Sequence, residues 1–339
     1  MLRDNQYQVT AAILFTTAAV IAMSVMSSIA FPFAYGHTFS QNENSLFLTR
    51  MNQMHSQLQF VQSLLSRNAT TSGDNNANSN TKFAQTHVTE ALALLNQKDP
   101  VNNFTWNQEI AERNQRVATD LVRGLNDLST SVNQKASSTS IQDKVNNLGG
   151  LLNEAISARV AKDILNNSTN QALVLANIGN EVFYSYGQAL GFPYAKLANM
   201  VATMNMSAMG GNNMNMQGKN MKQNMNNMNN MNANSNKMPG MTMTNKVNIL
   251  NESQYQNAQA YVKQAQEIVS KYLTSPSSTN KNITSADIQT QLNKILSQLK
   301  TTIDNKGPFN SVMTLVHMQL HPTLISDYGL KLNAPTPSK

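Results

Sequence analysis

Twenty methionines and no cysteine occur in this 339-residue chain, and 13 of the methionines fall between residues 200 and 243. Met204 and Met206, then Met214 and Met216, are two residues apart; Met225, Met228 and Met231 follow at intervals of three, and Met238, Met241 and Met243 close the tract in MPGMTM. A thioether is a soft donor with no proton to lose, so sulfurs at this spacing on a flexible chain suit Cu(I), or adventitiously Ag(I), over hard cations. At the methionine frequency of the remaining chain, about one would stand in those 44 positions, so average composition does not produce the tract. A spacer grown by duplication of the MNN triplet is the competing reading, and the non-repetitive PGMTM end argues against it. A sacrificial sink for oxidants is a third.

Histidine supplies the other donors. The five stand at positions 37, 55, 87, 317 and 321, and His317-Met-Gln-Leu-His321 has the i,i+4 spacing that points two imidazoles from one helical face. His55 lies beside Met51 and Met54, and His87 is one turn from Glu90. The expectation is that His317 and His321, joined by His37 or His55, hold Cu(II). Ordinary burial or capping is the commoner explanation of a lone i,i+4 pair, and Pro322 is expected to stop the helix and leave His321 at its end, where a cation suits the dipole.

Residues 9–34 are apolar and uncharged, preceded by a polar segment whose lone cation is Arg3. The run is long enough to span a bilayer and also reads as a secretory leader, with Ala34-Tyr35-Gly36 a small-x-small cleavage pattern and Ser28-Ile29-Ala30 a second. Either outcome places residues 37–339 outside the cytoplasm, released or anchored to the outer face of the membrane. A cut after Gly36 makes His37 the first residue, whose amine and imidazole together could chelate copper. Seven N-x-S/T sequons are permissive for glycosylation, but 48 asparagines generate about that many by chance.

What is missing narrows the chemistry further. Without cysteine there are no disulfides, zinc thiolates, iron–sulfur clusters or thiol catalysis. There is no Glu-x-x-His of a di-iron bundle, no Walker lysine loop, no G-x-S-x-G and no dinucleotide turn. Glu109 and Glu112 share a helical face without a pocket signature and read as solvated. The net charge of +7 is spread over 25 Lys and Arg with no basic run, so no nucleic-acid partner is indicated.

The elements that must position these groups are helical. Phe47, Met51, Met54, Leu58, Val61 and Leu65 form a 4-3-4-3-4 stripe, ended by the polar run Asn68 to Thr81. A second helix carries Ala84, Val88, Ala91 and Leu95 and closes at Asp99-Pro100. A third runs through Trp106, Ile110, Val117, Leu121 and Leu128. Ser140 with Asp143 resembles a capping box for a fourth, and a fifth spans about Asn170 to Leu190. Three more follow residue 252. The pattern predicts an all-α fold, an extended antiparallel bundle of about eight helices. Its expected organisation is a leader or anchor over 1–36, a first helical part over 37–195, a disordered Met/Asn-rich insert over 196–247, a second helical part over 248–325 and a tail over 326–339. Whether the last three helices pack on the first five is not readable from periodicity.

The leader, HTFSQNENSLFL, EIAERNQR, the Met/Asn-rich tract and the closing VHMQLHP together resemble a group of uncharacterised secreted helical proteins of ammonia-oxidising archaea. That resemblance implies a cell-surface location in organisms whose extracytoplasmic redox enzymes rely on copper, and it assigns no reaction. Three functions follow as expectations: an extracytoplasmic copper-binding protein without enzymatic activity, for buffering or delivery; a structural or interaction protein of the cell envelope with the tract as spacer; and a copper oxidoreductase using His37. Metal ions, and other envelope proteins in the second case, are the expected partners. The membrane is touched through the amino-terminal segment alone.

Overall fold

The computed structural model describes residues 39–68, 74–203, 247–273 and 284–332, which are helical with no strand among them. In chain order the elements are α1 (Glu43–Asn68), α2 (Asp74–Asn96), α3 (Trp106–Arg113), α4 (Gln115–Asn133), α5 (Ser138–Arg159), α6 (Lys162–Leu165), α7 (Ser168–Ala189), α8 (Tyr194–Thr203), α9 (Glu252–Tyr272), α10 (Ser285–Asp304), α11 (Phe309–Met313), a π-helical turn (Thr314–Leu320) and α12 (His321–Tyr328). The predicted all-α bundle is what forms.

Asparagine explains several of the boundaries. A short polar side chain that accepts from a backbone N–H two or three residues on satisfies a donor the helix leaves orphaned. Asn114, Asn167 and Asn251 do this for α4, α7 and α9, accepting from Val117, Asn170 and Gln254. Asn114 also breaks the expected third helix in two, its extended backbone (φ −154°, ψ 90°) ending α3 and starting α4. Ser137, and not Ser140, caps α5. Reciprocal capping boxes start α3 at Thr105 with Gln108 and α10 at Thr284 with Asp287.

The whole α1 stripe is buried, as its spacing predicts. α9 packs most extensively on α7 and also lies against α1, and α10 packs on α9. The later helices therefore share one hydrophobic core with the earlier ones. Phe39 and Leu332 pair at the two ends of the described chain, where Ser40 N–H donates to Lys331 O at 2.8 Å.

Three boundaries depart from the sequence expectation. α2 begins at Asp74, inside the polar run. α8 continues to Thr203 with Leu197 and Val201 buried, so the first residues assigned to the insert are helical and join the core. Pro322 does not stop the last helix. Proline lacks the N–H owed to the carbonyl four residues back and its ring collides with that carbonyl. The chain accommodates this by widening upstream into a π turn, in which His321 N–H bonds Val316 O. Helix then runs on to Tyr328, where Gly329 in the left-handed region (φ 67°) closes it.

Candidate functional site

His317 lies in the π turn and His321 opens α12. The structure brings the two rings together, with centroids 4.9 Å apart and edge to face. Both are core residues, 2% and 1% exposed. The His317 ring meets Phe183 of α7 edge-on at 4.7 Å, and the His321 ring meets Phe39 at 5.0 Å. His321 Nε2 stands 3.3 Å from Ala176 O. The expected helix-end position of His321 is thus corrected: it is interior to a continuous helical segment. Aromatic edges enclose the pair.

His55 is placed elsewhere. Its ring lies over Gly149 of α5, with Glu267, Lys263 and Lys271 of α9 as its charged neighbours, and burial pulls its imidazole below the ordinary value. Among the described residues no group of three or more His, Asp or Glu could hold a metal ion. His37, the tract Met204, Met206, Met214, Met216, Met225, Met228, Met231, Met238, Met241 and Met243, and the leader 1–36 lie outside the described residues.

A second set of polar groups, distributed over four helices, was not assembled from the sequence. Gln57 Nε2 on α1 donates to Asn257 Oδ1 and Tyr261 Oη of α9, each at 3.1 Å, and Gln264 Nε2 donates to Asn52 Oδ1 at 2.7 Å. His87, fully buried on α2, places Nδ1 2.6 Å from Gln57 Oε1 and Nε2 2.9 Å from Gln256 Oε1, with Glu90 Oε2 3.6 Å from Nδ1. A ring carrying both protons donates to both amides with Glu90 as counter-charge; a ring carrying one requires Gln256 to turn its amide over. Arg50 is buried beside them, donating to Gln53 Oε1 at 2.6 Å. Burial lowers its pKa and the charge of Glu181 on α7 opposes that; Glu181 in turn is raised by burial and lowered by Arg50 and Gln53.

The Arg50 charge also faces Asp99, in the loop before α3. Asp99 and Glu109 are 0% and 4% exposed, so Glu109 is a buried residue and not the solvated one expected; Glu112 is exposed. Burial, and then a hydrogen bond with Asp99, pushes the Glu109 carboxyl up to about 7 against the opposing pull of Asn102 and Arg159. Arg159 Nε donates to Glu109 Oε2 at 2.7 Å and its guanidinium lies 4.7 Å over the Phe47 ring.

No family model, curated protein or solved structure matches the chain. Among the described residues no helix is long and apolar enough to cross a membrane. An open surface depression of about 510 Å³ on α3 and α4 is lined by Arg123 and Asp127 among others; Arg123 is already paired with Asp120.

Proposed function

We propose that the protein is a non-enzymatic copper-binding protein that acts outside the cytoplasm, with the helical bundle as scaffold and the Met-rich tract as the collector of Cu(I). The observation that carries this reading is the confinement of 13 of 20 methionines to residues 200–243 of a chain without cysteine. The scaffold is compatible with it. Leu197 of α8 lies against Gly187 near the end of α7, and the returning chain is pinned where Leu250 and Asn251 N–H donate to Ala189 O and Val247 N–H donates to Lys306 O. The segment thus leaves and re-enters near one end of α7.

His317 and His321 are secondary in this reading, because a Cu(II) ion at that pair needs donors beyond those the described residues bring together. The test is titration of the mature chain with Cu(I) against a competing chelator, beside a variant lacking 204–246, a deletion that keeps α8 and the Val247 anchor. Loss of high-affinity Cu(I) uptake is expected; unchanged affinity overturns the role of the tract.

The second reading is an envelope-associated structural or interaction protein. The continuous core favours it, because among the described residues it joins the early and late helices into one folded body. It predicts full partner binding after the same deletion and no metal in purified material. Oxidoreductase chemistry at His37 requires histidine at the mature terminus, which mass spectrometry of the processed chain decides.

A further inference from the structure

Two of the three large apolar side chains left exposed among the described residues stand on one loop, between α2 and α3: Val101 at 60% and Phe104 at 42%. The third, Leu250 at 68%, lies beside Gly191, past the end of α7. The loop does not present its pair through slackness. Asp99 N–H donates to Phe104 O at 2.7 Å, Asn103 N–H to Asp99 O at 2.9 Å, and Val101 N–H to the buried Asp99 carboxylate at 2.8 Å. Phe104 N–H donates to Asn102 Oδ1 at 2.9 Å. A single exposed apolar side chain needs no explanation, but two on one braced loop call for an occupant.

The loop lies at the end of the bundle where the described chain begins. Asn102 Nδ2 donates to Glu109 Oε1 at 3.2 Å, and Arg159 bridges from Glu109 Oε2 to Asn44 Oδ1 in the first turn of α1. Ser40 N–H bonds Lys331 O and Asn42 Nδ2 bonds Asn170 Oδ1 at the start of α7, so the segment around Lys331 and α7 meet there too. Leu250 N–H donates to Ala189 O at the other end of α7, which is 22 residues and thus about 33 Å long. The apolar run 9–34 ends five residues before Phe39, a stretch that spans at most about 18 Å when extended. The headgroup layer takes up about 5–8 Å of that. With residues 9–34 in a bilayer, this end of the bundle is therefore tethered within about 10–13 Å of the surface.

We propose that this end of the bundle rests on the membrane that holds the amino-terminal run, with the side chains of Val101 and Phe104 entering the interface between headgroups and acyl chains. The inference rests on the anchored form of the extracytoplasmic reading and adds a second membrane contact to it. Burial of the two side chains supplies the attraction, and the short tether supplies the local concentration that so small an apolar surface needs. Charge contributes little, because Lys98, Lys162 and Lys331 are exposed at this end together with Glu43 and Asp163. Docking in this orientation turns the far end of α7, where the chain returns from the Met-rich tract, away from the bilayer.

The chain has no cysteine, so single cysteines carry a fluorescent label without background. The test labels full-length protein bearing Val101→Cys, Phe104→Cys or Leu250→Cys and reconstitutes it in phosphatidylcholine vesicles with a nitroxide high on the acyl chain. All three positions are exposed, so the fold is expected to be kept. Labels at 101 and 104 are expected to lose about half of their emission or more, since interfacial groups reach a depth of about 5–10 Å, and the label at 250 almost none. Adding Val101→Asp to the chain labelled at 104 is expected to cut its quenching about twofold or more, whereas proximity through the tether alone leaves it unchanged. In protein that stays on the vesicles through an alkaline wash, equal quenching at 104 and 250, or quenching at 104 that survives Val101→Asp, overturns the docking alone. Protein that the wash removes overturns the anchored reading and the docking with it. A glycan on Asn103, in the sequon Asn103-Phe104-Thr105, would hold the loop off the surface and also overturn the docking, and mass spectrometry of the native chain reads it.

Discussion

Two histidine environments sit in one core and are built on opposite principles. His317 and His321 are enclosed by the ring edges of Phe183 and Phe39 on a helix that widens ahead of Pro322. His87 is enclosed by Gln57, Gln256 and Glu90, with Arg50 and Glu181 close by. Shape governs the first and polar pairing the second. In the aromatic region a substitution acts through volume, and in the amide region it acts through groups left buried without partners.

The largest expected effect tests the polar side. Arg50→Met strands the buried Gln53 amide oxygen and removes the charge facing the half-buried Glu181 carboxylate, and should cost about 2–4 kcal/mol in urea unfolding. Adding Glu181→Leu should recover much of that loss, because removing both charges also removes their desolvation penalty. If the double variant is no more stable than the single, the two groups are not coupled and the contrast between the regions weakens.

His87→Ala comes next. It strands the amides of Gln57 and Gln256 and opens space in the core, for an expected loss of about 2–4 kcal/mol by calorimetry or denaturant melting. His87→Phe fills the volume and still strands the amides, so a small penalty for that variant would show that packing, and not polar pairing, dominates around α2.

The third expectation concerns pH. Folding raises the Glu109 carboxyl from an ordinary 4.5 to about 7. A raised pKa means the folded state holds the proton more tightly, so the contribution is complete below the ordinary value and disappears as pH climbs through about 7. Unfolding midpoints should therefore fall between pH 5 and pH 8, by at most about 3 kcal/mol of linked stability. Glu109→Gln should flatten that slope. A wild-type slope of opposite sign would mean that the Arg159 pair outweighs burial.

The sequence showed the fold through patterns local to one helix. The α1 stripe from Phe47 to Leu65 and the i,i+4 pair at His317 and His321 are each read from a single stretch of chain, and both came together as their spacing predicts. The interior around His87 could not be read that way, because Gln57, Glu90, Glu181 and Asn257 come from four helices and each alone resembles a surface residue. The single signal available was the one-turn spacing of His87 and Glu90. Glu109 was misplaced for a related reason: a carboxylate near a helix start ordinarily faces water, and nothing adjacent in sequence announces Arg159 fifty residues on. Pro322 misled by a different route, since a proline stops a helix unless the backbone upstream can change its pitch.

That change of pitch supplies the smallest effect and a probe of the aromatic side. The π turn lies close on α7 at Gly179, where a Cβ would stand 2.9 Å from Leu320 Cδ2 and 3.8 Å from His321 Nε2. Gly179→Ala should cost about 1–3 kcal/mol through overpacking, less whatever Leu320 recovers by rotating its side-chain end. A better helix former replaces glycine in the same change, worth up to about 1 kcal/mol in the opposite direction. The two terms separate when Leu320→Val accompanies Gly179→Ala. If close approach sets the cost, the shorter side chain should make Gly179→Ala neutral or stabilising in thermal melts relative to Leu320→Val alone. Persistence of the full penalty would mean that His321 and Val316 are the rigid contacts, and that the ring pair is held by the π turn more tightly than its aromatic neighbours alone would hold it.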